Sequence, residues 1–308
     1  MYRLTCRENL SGRGLTDVRP ADGLPDPAKA GLERWVILVH GFNNSRKTAE
    51  GTWELTARQL ESGDININNM VLFFWPGDFS RSEIVSAMSY SLTVPIATET
   101  AKRLCTYLEN TTRERPRPLR ISFVAHSLGS LVVLETLRLL RESAARVNVE
   151  NVLLMAAAVA EGFCYRSARY GHRFSRLTNE LVLYSLDHTV LERWFRAGQR
   201  LAREIPADAR ARRAVGRNGG PGAGPRGRWS ESYHKRGFDH GDYWKESESI
   251  AEIARVVEPH VDPYEYAEEW VGEWVRRVEL RTHRLASDSL AEADDLRCDK
   301  LPRATRLG

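Results

Sequence analysis

Residues 123–130 read FVAHSLGS, and Ser127 falls where a short apolar run gives way to the helix-like sequence LVVLETLRLL. A serine at such a junction is either a helix N-cap or a nucleophile held on a sharp strand-to-helix turn. The turn admits only small residues two positions before and after the serine. Ala125 and Gly129 stand there, Ala125 in a place where glycine is usual. A serine hydroxyl is a useful nucleophile only when an imidazole removes its proton and an acid holds that imidazole in the right tautomer.

Asp187, which closes LVLYSLD, is the expected acid, although an N-cap to HTVLERWF would also explain it; Asp78, after FFWPG, is the second candidate. His240 in GFDHGDYW is the expected base, ahead of His234 and His188. His188 lies too close to Asp187 along the chain to swing back easily. His234, Asp239, His240 and Asp242 lack a recognised metal-ligand spacing, so no metal is expected. A developing oxyanion needs two N–H donors. One is the Leu128 amide at the start of a helix, and the other is the Phe42 amide in HGFNNS, where Gly41 lets the backbone turn toward the serine. His40 braces that loop, and Asn43 and Asn44 order it or contact substrate.

These residues require strands that end together. RWVILVHG, NMVLFFWPG, ISFVAH, ENVLLMAAAV and NELVLYSLDH are apolar runs of buried parallel-strand type, separated by helical spacing over 47–60, 96–108 and 128–141. In the first helix Trp53, Leu55, Ala57 and Leu60 share overlapping faces. Such alternation predicts a mostly parallel sheet that binds ligands beyond its carboxyl edge. Residues 1–33 read as an edge strand and loop. The Ser-rich stretch 79–96 and the Gly-rich stretch about 206–230 read as loops that border the pocket and select acyl chains. Residues 245–256 and 263–280 read as amphipathic helices, and the final 25 residues as loosely ordered. There is no internal repeat.

Together, VILVHGFNNS, VLFFWPG, FVAHSLGS and LVLYSLD resemble the α/β-hydrolase superfamily, in particular a bacterial lipase- and esterase-like branch. The resemblance spans roughly residues 34–245. It implies an α/β fold with a mostly parallel central sheet flanked by helices on both faces. It also implies Ser127, Asp187 and His240 as nucleophile, acid and base, with Phe42 and Leu128 as oxyanion donors. Three regions follow: an N-terminal edge segment (1–33), a hydrolase core (34–245) and a C-terminal helical extension (246–308). The expected activity is cleavage of a carboxylic ester or related acyl bond through an acyl-serine, without cofactor. An acyltransferase using the same triad, or a non-catalytic binding protein on the same fold, are the alternatives.

The 308 residues, 42% hydrophobic and 28% charged with a net charge of +4, are ordinary for a globular protein. No basic block or basic, aromatic-interleaved stripe points to nucleic acid. Cys6, Cys105, Cys164 and Cys298 are widely spaced, as expected of reduced thiols in a cytoplasmic protein. No apolar run approaches the roughly 20 residues of a membrane span. A small-molecule acyl substrate is expected; the oligomeric state is left open.

Overall fold

In the computed structural model the described residues are 1–8, 14–21, 23–42, 45–77, 83–164, 169–170, 179–192, 195, 213–220 and 232–258. They form one eight-stranded sheet in the order β2-β1-β4-β3-β5-β6-β7-β8. The strands are β1 (Tyr2–Arg7), β2 (Leu15–Pro20), β3 (Arg34–Val39), β4 (Met70–Phe74), β5 (Leu119–His126), β6 (Val147–Met155), β7 (Asn179–Tyr184) and β8 (Ser232–His234). Only β2 runs antiparallel, paired with β1 at the edge. The α/β-hydrolase architecture is therefore observed, with helices on both faces of a mainly parallel sheet.

The central strands β3 and β4 are buried at every position, which is why their sequences are continuous β-branched and aromatic runs rather than alternating ones. Helices α1 (Arg46–Ser62) and α5 (Ser247–Val257) pack together on the sheet, as do α2 (Glu83–Thr112) and α3 (Gly129–Glu142). A short helix α4 (Val215–Asn218) lies against β7. In α1, Trp53, Ala57 and Leu60 are buried, whereas Leu55 is 43% exposed and leaves the apolar face.

Arg34, at the start of β3, ties α5 to the sheet. Its guanidinium pairs with Glu150 (2.8 Å) and donates to the Val256 carbonyl (2.7 Å) and to that of Val257. It thus satisfies terminal carbonyls that have no partner inside a helix. The first part of the C-terminal region is in this way anchored to the core.

Three expectations need correction. Residues 1–33 hold two strands, and β1 lies inside the sheet, parallel to β4, because its Leu4 and Cys6 are buried as core residues. Residues 83–96 are not a loop but the first half of α2, which runs through Pro95. Proline removes one helical hydrogen bond, yet the flanking Val94, Ala97 and Ala101 are buried and hold the helix in place. Within the Gly-rich stretch, residues 213–220 are ordered. The Glu161 amide donates to Arg213 (2.8 Å), Val215 to Val159 (2.9 Å) and Gly216 to Ala157 (2.9 Å). A Cβ on Gly216 would sit 2.1 Å from the backbone of Ala156 and Ala157, so this turn packs main chain against main chain. Strand β8 was not expected; three residues are too few to show a period. The predicted helix at 263–280 and Asp78 lie outside the described residues.

Candidate active site

Parallel strands end on one edge, and the candidate residues gather there. Gly41 and Phe42 follow β3, Ser127 follows β5, Asp187 and His188 follow β7, and His240 follows β8. Ser127 has φ +52°, a left-handed conformation that costs a non-glycine residue about 1–2 kcal/mol. Tertiary bonds hold it there: its amide donates to the Met155 carbonyl (2.9 Å), and its own carbonyl accepts from Ser130 (3.1 Å) and Ala158 (3.1 Å). A strained residue fixed by its surroundings at the head of a helix is the geometry of a nucleophile elbow. An ordinary N-cap has extended or other unstrained backbone and a side-chain bond into the helix, and no such cap bond is made at the start of α3.

The two neighbouring glycines have definite steric reasons. A Cβ on Gly129 would lie 2.4 Å from the His40 carbonyl oxygen and 2.8 Å from that of Val39, so only glycine lets α3 begin this close to β3. A Cβ on Gly41 would lie 2.8 Å from the Ser127 Cβ and 2.9 Å from His126 Nδ1. The loop after β3 is thus pressed onto the elbow. Among the described residues neither the Phe42 nor the Leu128 amide donates a hydrogen bond, which leaves both N–H groups available at this edge.

His40 holds the loop. Its Nε2 accepts from the Trp75 amide (3.2 Å), so the proton sits on Nδ1, which donates to the Gly41 carbonyl (2.9 Å). The Trp75 indole donates to the His40 carbonyl (2.8 Å) and its ring stacks on the imidazole. Burial, with the Arg7 charge nearby, lowers the His40 pKa to about 3, so the ring stays neutral.

Three further imidazoles are clustered. The His126 and His240 ring centroids are 4.7 Å apart, and those of His188 and His240 4.8 Å apart. His126 Nε2 lies 2.7 Å from the His240 carbonyl oxygen. A carbonyl only accepts, so His126 carries its proton on Nε2 and its Nδ1 is a buried acceptor without a partner among the described residues. His188 Nε2 lies 2.9 Å from His240 Nδ1. Burial lowers the pKa of His126 to about 4 and that of His188 to about 4, the latter against the field of Asp239. Burial, then the neighbouring His126 and His188, pushes His240 well below the usual histidine range. The cluster is neutral near pH 7.

The structure thus presses the loop that carries Phe42 onto Ser127 and sets the His240 ring beside that of His126, the residue before the serine. Among the described residues no hydrogen bond joins the Ser127 hydroxyl to His240; such bonds are commonly long before substrate binds. Asp187 is not brought to His240: its carboxylate accepts from the Gly237 amide (2.9 Å) and the residue is exposed. His234 is exposed too, with Nε2 accepting from the Leu186 amide (3.3 Å). The Asp242 carboxylate accepts from the Asp239 amide (2.7 Å), so His234, Asp239, His240 and Asp242 do not converge on one point. The sequence reading passes over His126 and sets His188 aside; along a strand, adjacency to Ser127 or Asp187 places a side chain on the opposite face, so no local signal marks either.

Residues 32–159, under half of the chain, match the family described as "Putative serine esterase (DUF676)". Curated proteins show no significant match. Among solved structures the chain aligns with the product of gene lin2722 from Listeria innocua at 10% identity and TM-score 0.43, over 74% of this chain and 94% of that one. It also aligns with Arabidopsis thaliana SOBER1 at 13% identity and TM-score 0.38, over 79% and 99%. A third alignment is with the RedJ thioesterase of the prodiginine pathway in Streptomyces coelicolor, at 10% identity and TM-score 0.34, over 77% and 89%. The fold itself is read from the sheet order and the elbow.

Proposed function

We propose that the chain is a serine hydrolase of the α/β-hydrolase superfamily, cleaving a carboxylic ester or related acyl bond of a small molecule. The observation that carries this reading is Ser127 at φ +52° between β5 and α3, with glycines at 41 and 129 that no larger residue could replace. The match of residues 32–159 to a serine esterase family supports it.

In this reading the Ser127 hydroxyl oxygen attacks the acyl carbon as its proton passes to His240 Nε2. The carbonyl oxygen, now anionic, accepts from the Phe42 and Leu128 amides. His240 returns the proton to the departing alcohol, leaving an acyl-Ser127. Water then gives a proton to His240 and attacks the acyl carbon; collapse regenerates the serine hydroxyl and releases the acid. Asp187 holds the Gly237 amide and so fixes the turn that leads to His240. No step calls for a metal or cofactor. Cys6, Cys105 and Cys164 are buried free thiols, which supports a cytoplasmic setting; among the described residues no helix is long and apolar enough to cross a membrane.

The test is labelling by a fluorophosphonate probe together with hydrolysis of a short activated ester, comparing the native protein with Ser127→Ala. Both signals are expected to vanish in the variant while its unfolding transition stays within a few degrees. Undiminished labelling in Ser127→Ala would refute the assignment.

A further inference from the structure

The geometry points to His188 as the residue that positions His240, so that the group behind the base is an imidazole where a carboxylate was expected. This rests on the serine hydrolase reading of Ser127 and His240. The central observation is the 2.9 Å separation between His188 Nε2 and His240 Nδ1, the atom that an orienting acid would otherwise occupy. The preceding Asp187 turns its carboxylate to the Gly237 amide instead.

His188 is well fixed for this task. It is fully buried. Its ring is nearly parallel to that of Tyr243 (19°) and meets the His240 ring edge-on (75°), so that a ring nitrogen points at its partner. Its amide donates to the Ser185 carbonyl (3.3 Å), closing the turn after β7. His240 is held independently from the nucleophile side, where His126 donates to its carbonyl. The base is therefore clamped at its backbone by the residue before Ser127 and at its ring by His188.

The proton inventory is consistent with catalysis. With the proton on His240 Nδ1 donated to His188 Nε2, His240 Nε2 is free to take the Ser127 proton, and His188 then carries its own proton on Nδ1. In the opposite arrangement His188 Nδ1 accepts the Leu191 amide, but at 3.4 Å that bond is long and selects only weakly. When His240 becomes charged, its Nδ1–H bond to His188 is charge-assisted and strengthens. At His188 itself the fields of Asp239 and Asp242 favour a positive charge, whereas burial and Arg217 oppose it.

The experiment compares His188→Phe, His188→Gln and Asp187→Asn in the full chain by kinetics and by two-bond ¹H–¹⁵N spectra of ring-labelled histidines. A single hydrogen bond to a group that becomes charged is expected to be worth about a 10- to 100-fold change. His188→Phe should lower kcat by that factor with KM little changed and shift the acid limb of the kcat profile. His188→Gln, whose amide oxygen can accept from Nδ1–H, should recover much of the loss. Asp187→Asn should cost less than His188→Phe. In the spectra His188→Phe should move the His240 ring nitrogens, and Asp187→Asn should leave them near their native positions. A larger effect of Asp187→Asn on both kcat and the His240 nitrogens would overturn the proposal. The spectra decide it even if Ser127 proves unreactive, so failure of the hydrolase reading remains distinguishable from failure of the His188 contact.

Discussion

Acidification should unfold this protein well before its carboxylates are protonated, and the size of the effect follows from its buried histidines. His40 is lowered to about 3, and His126 and His188 to about 4, each mainly by burial. In the unfolded chain each would titrate near 6.5. Between pH 6.5 and the folded values the unfolded state therefore binds protons that the native state excludes, and stability falls as pH falls. Each fully committed histidine contributes a slope of about 1.4 kcal/mol per pH unit. Integrated from pH 7 to pH 5, the three together remove about 5 kcal/mol, the whole stability of a marginal domain. His240, also depressed by burial, adds in the same direction. The assay is urea unfolding followed by tryptophan fluorescence at fixed ionic strength from pH 7.5 to pH 5. His40→Gln removes one titrating group. It should start less stable at neutral pH, because the loop after β3 loses a brace, yet lose only about two-thirds to three-quarters as much on acidification. A native protein whose unfolding free energy changes by less than about 1 kcal/mol between pH 7 and pH 5 would refute the reasoning.

Other outcomes follow from the same contacts. Gly216→Ala should be among the most destabilising single-methyl additions, costing several kcal/mol or abolishing soluble expression, because the new Cβ would meet backbone that has no rotamer to yield; thermal unfolding checks it. His126→Phe should lower kcat about tenfold or more by freeing the His240 backbone, and His126→Gln, which restores an N–H donor, should recover part of it in the same ester assay. The acid limb of the kcat/KM profile should fall below pH 6.5, since burial and the facing His126 and His188 keep His240 neutral; initial rates taken before unfolding measure it.

The sequence was legible where burial forces a pattern. β3 and β4 are buried at every position and so appear as nearly continuous apolar runs, and the elbow shows itself because a Cβ at Gly129 would meet the backbone of Val39 and His40. The N-terminal half of α2 was hidden by Pro95 and a Ser-rich composition, both of which a packed helix can tolerate when its buried face is apolar. Arg34 reads locally as a surface cation at the mouth of a strand. Its partners at Glu150, Val256 and Val257 are far away in sequence, and no local pattern can supply them.

The histidines illustrate a more specific failure. Along a strand, neighbouring side chains alternate between faces, and adjacency to a catalytic candidate would argue against a shared role. After β7 the chain leaves the strand and turns: His188 N bonds back to the Ser185 carbonyl, and the Asp187 amide bonds to the Ser185 hydroxyl (3.3 Å). Consecutive side chains then diverge, Asp187 outward to the Gly237 amide and His188 inward beneath His240. The one-residue spacing that made His188 an implausible partner for Asp187 is what lets two adjacent residues hold the same His240 segment from different sides, one through its backbone and the other through the ring. Burial gives this arrangement its chemical consequence. A buried carboxylate would have to be desolvated while charged, whereas a neutral imidazole incurs that cost only when His240 takes up the proton.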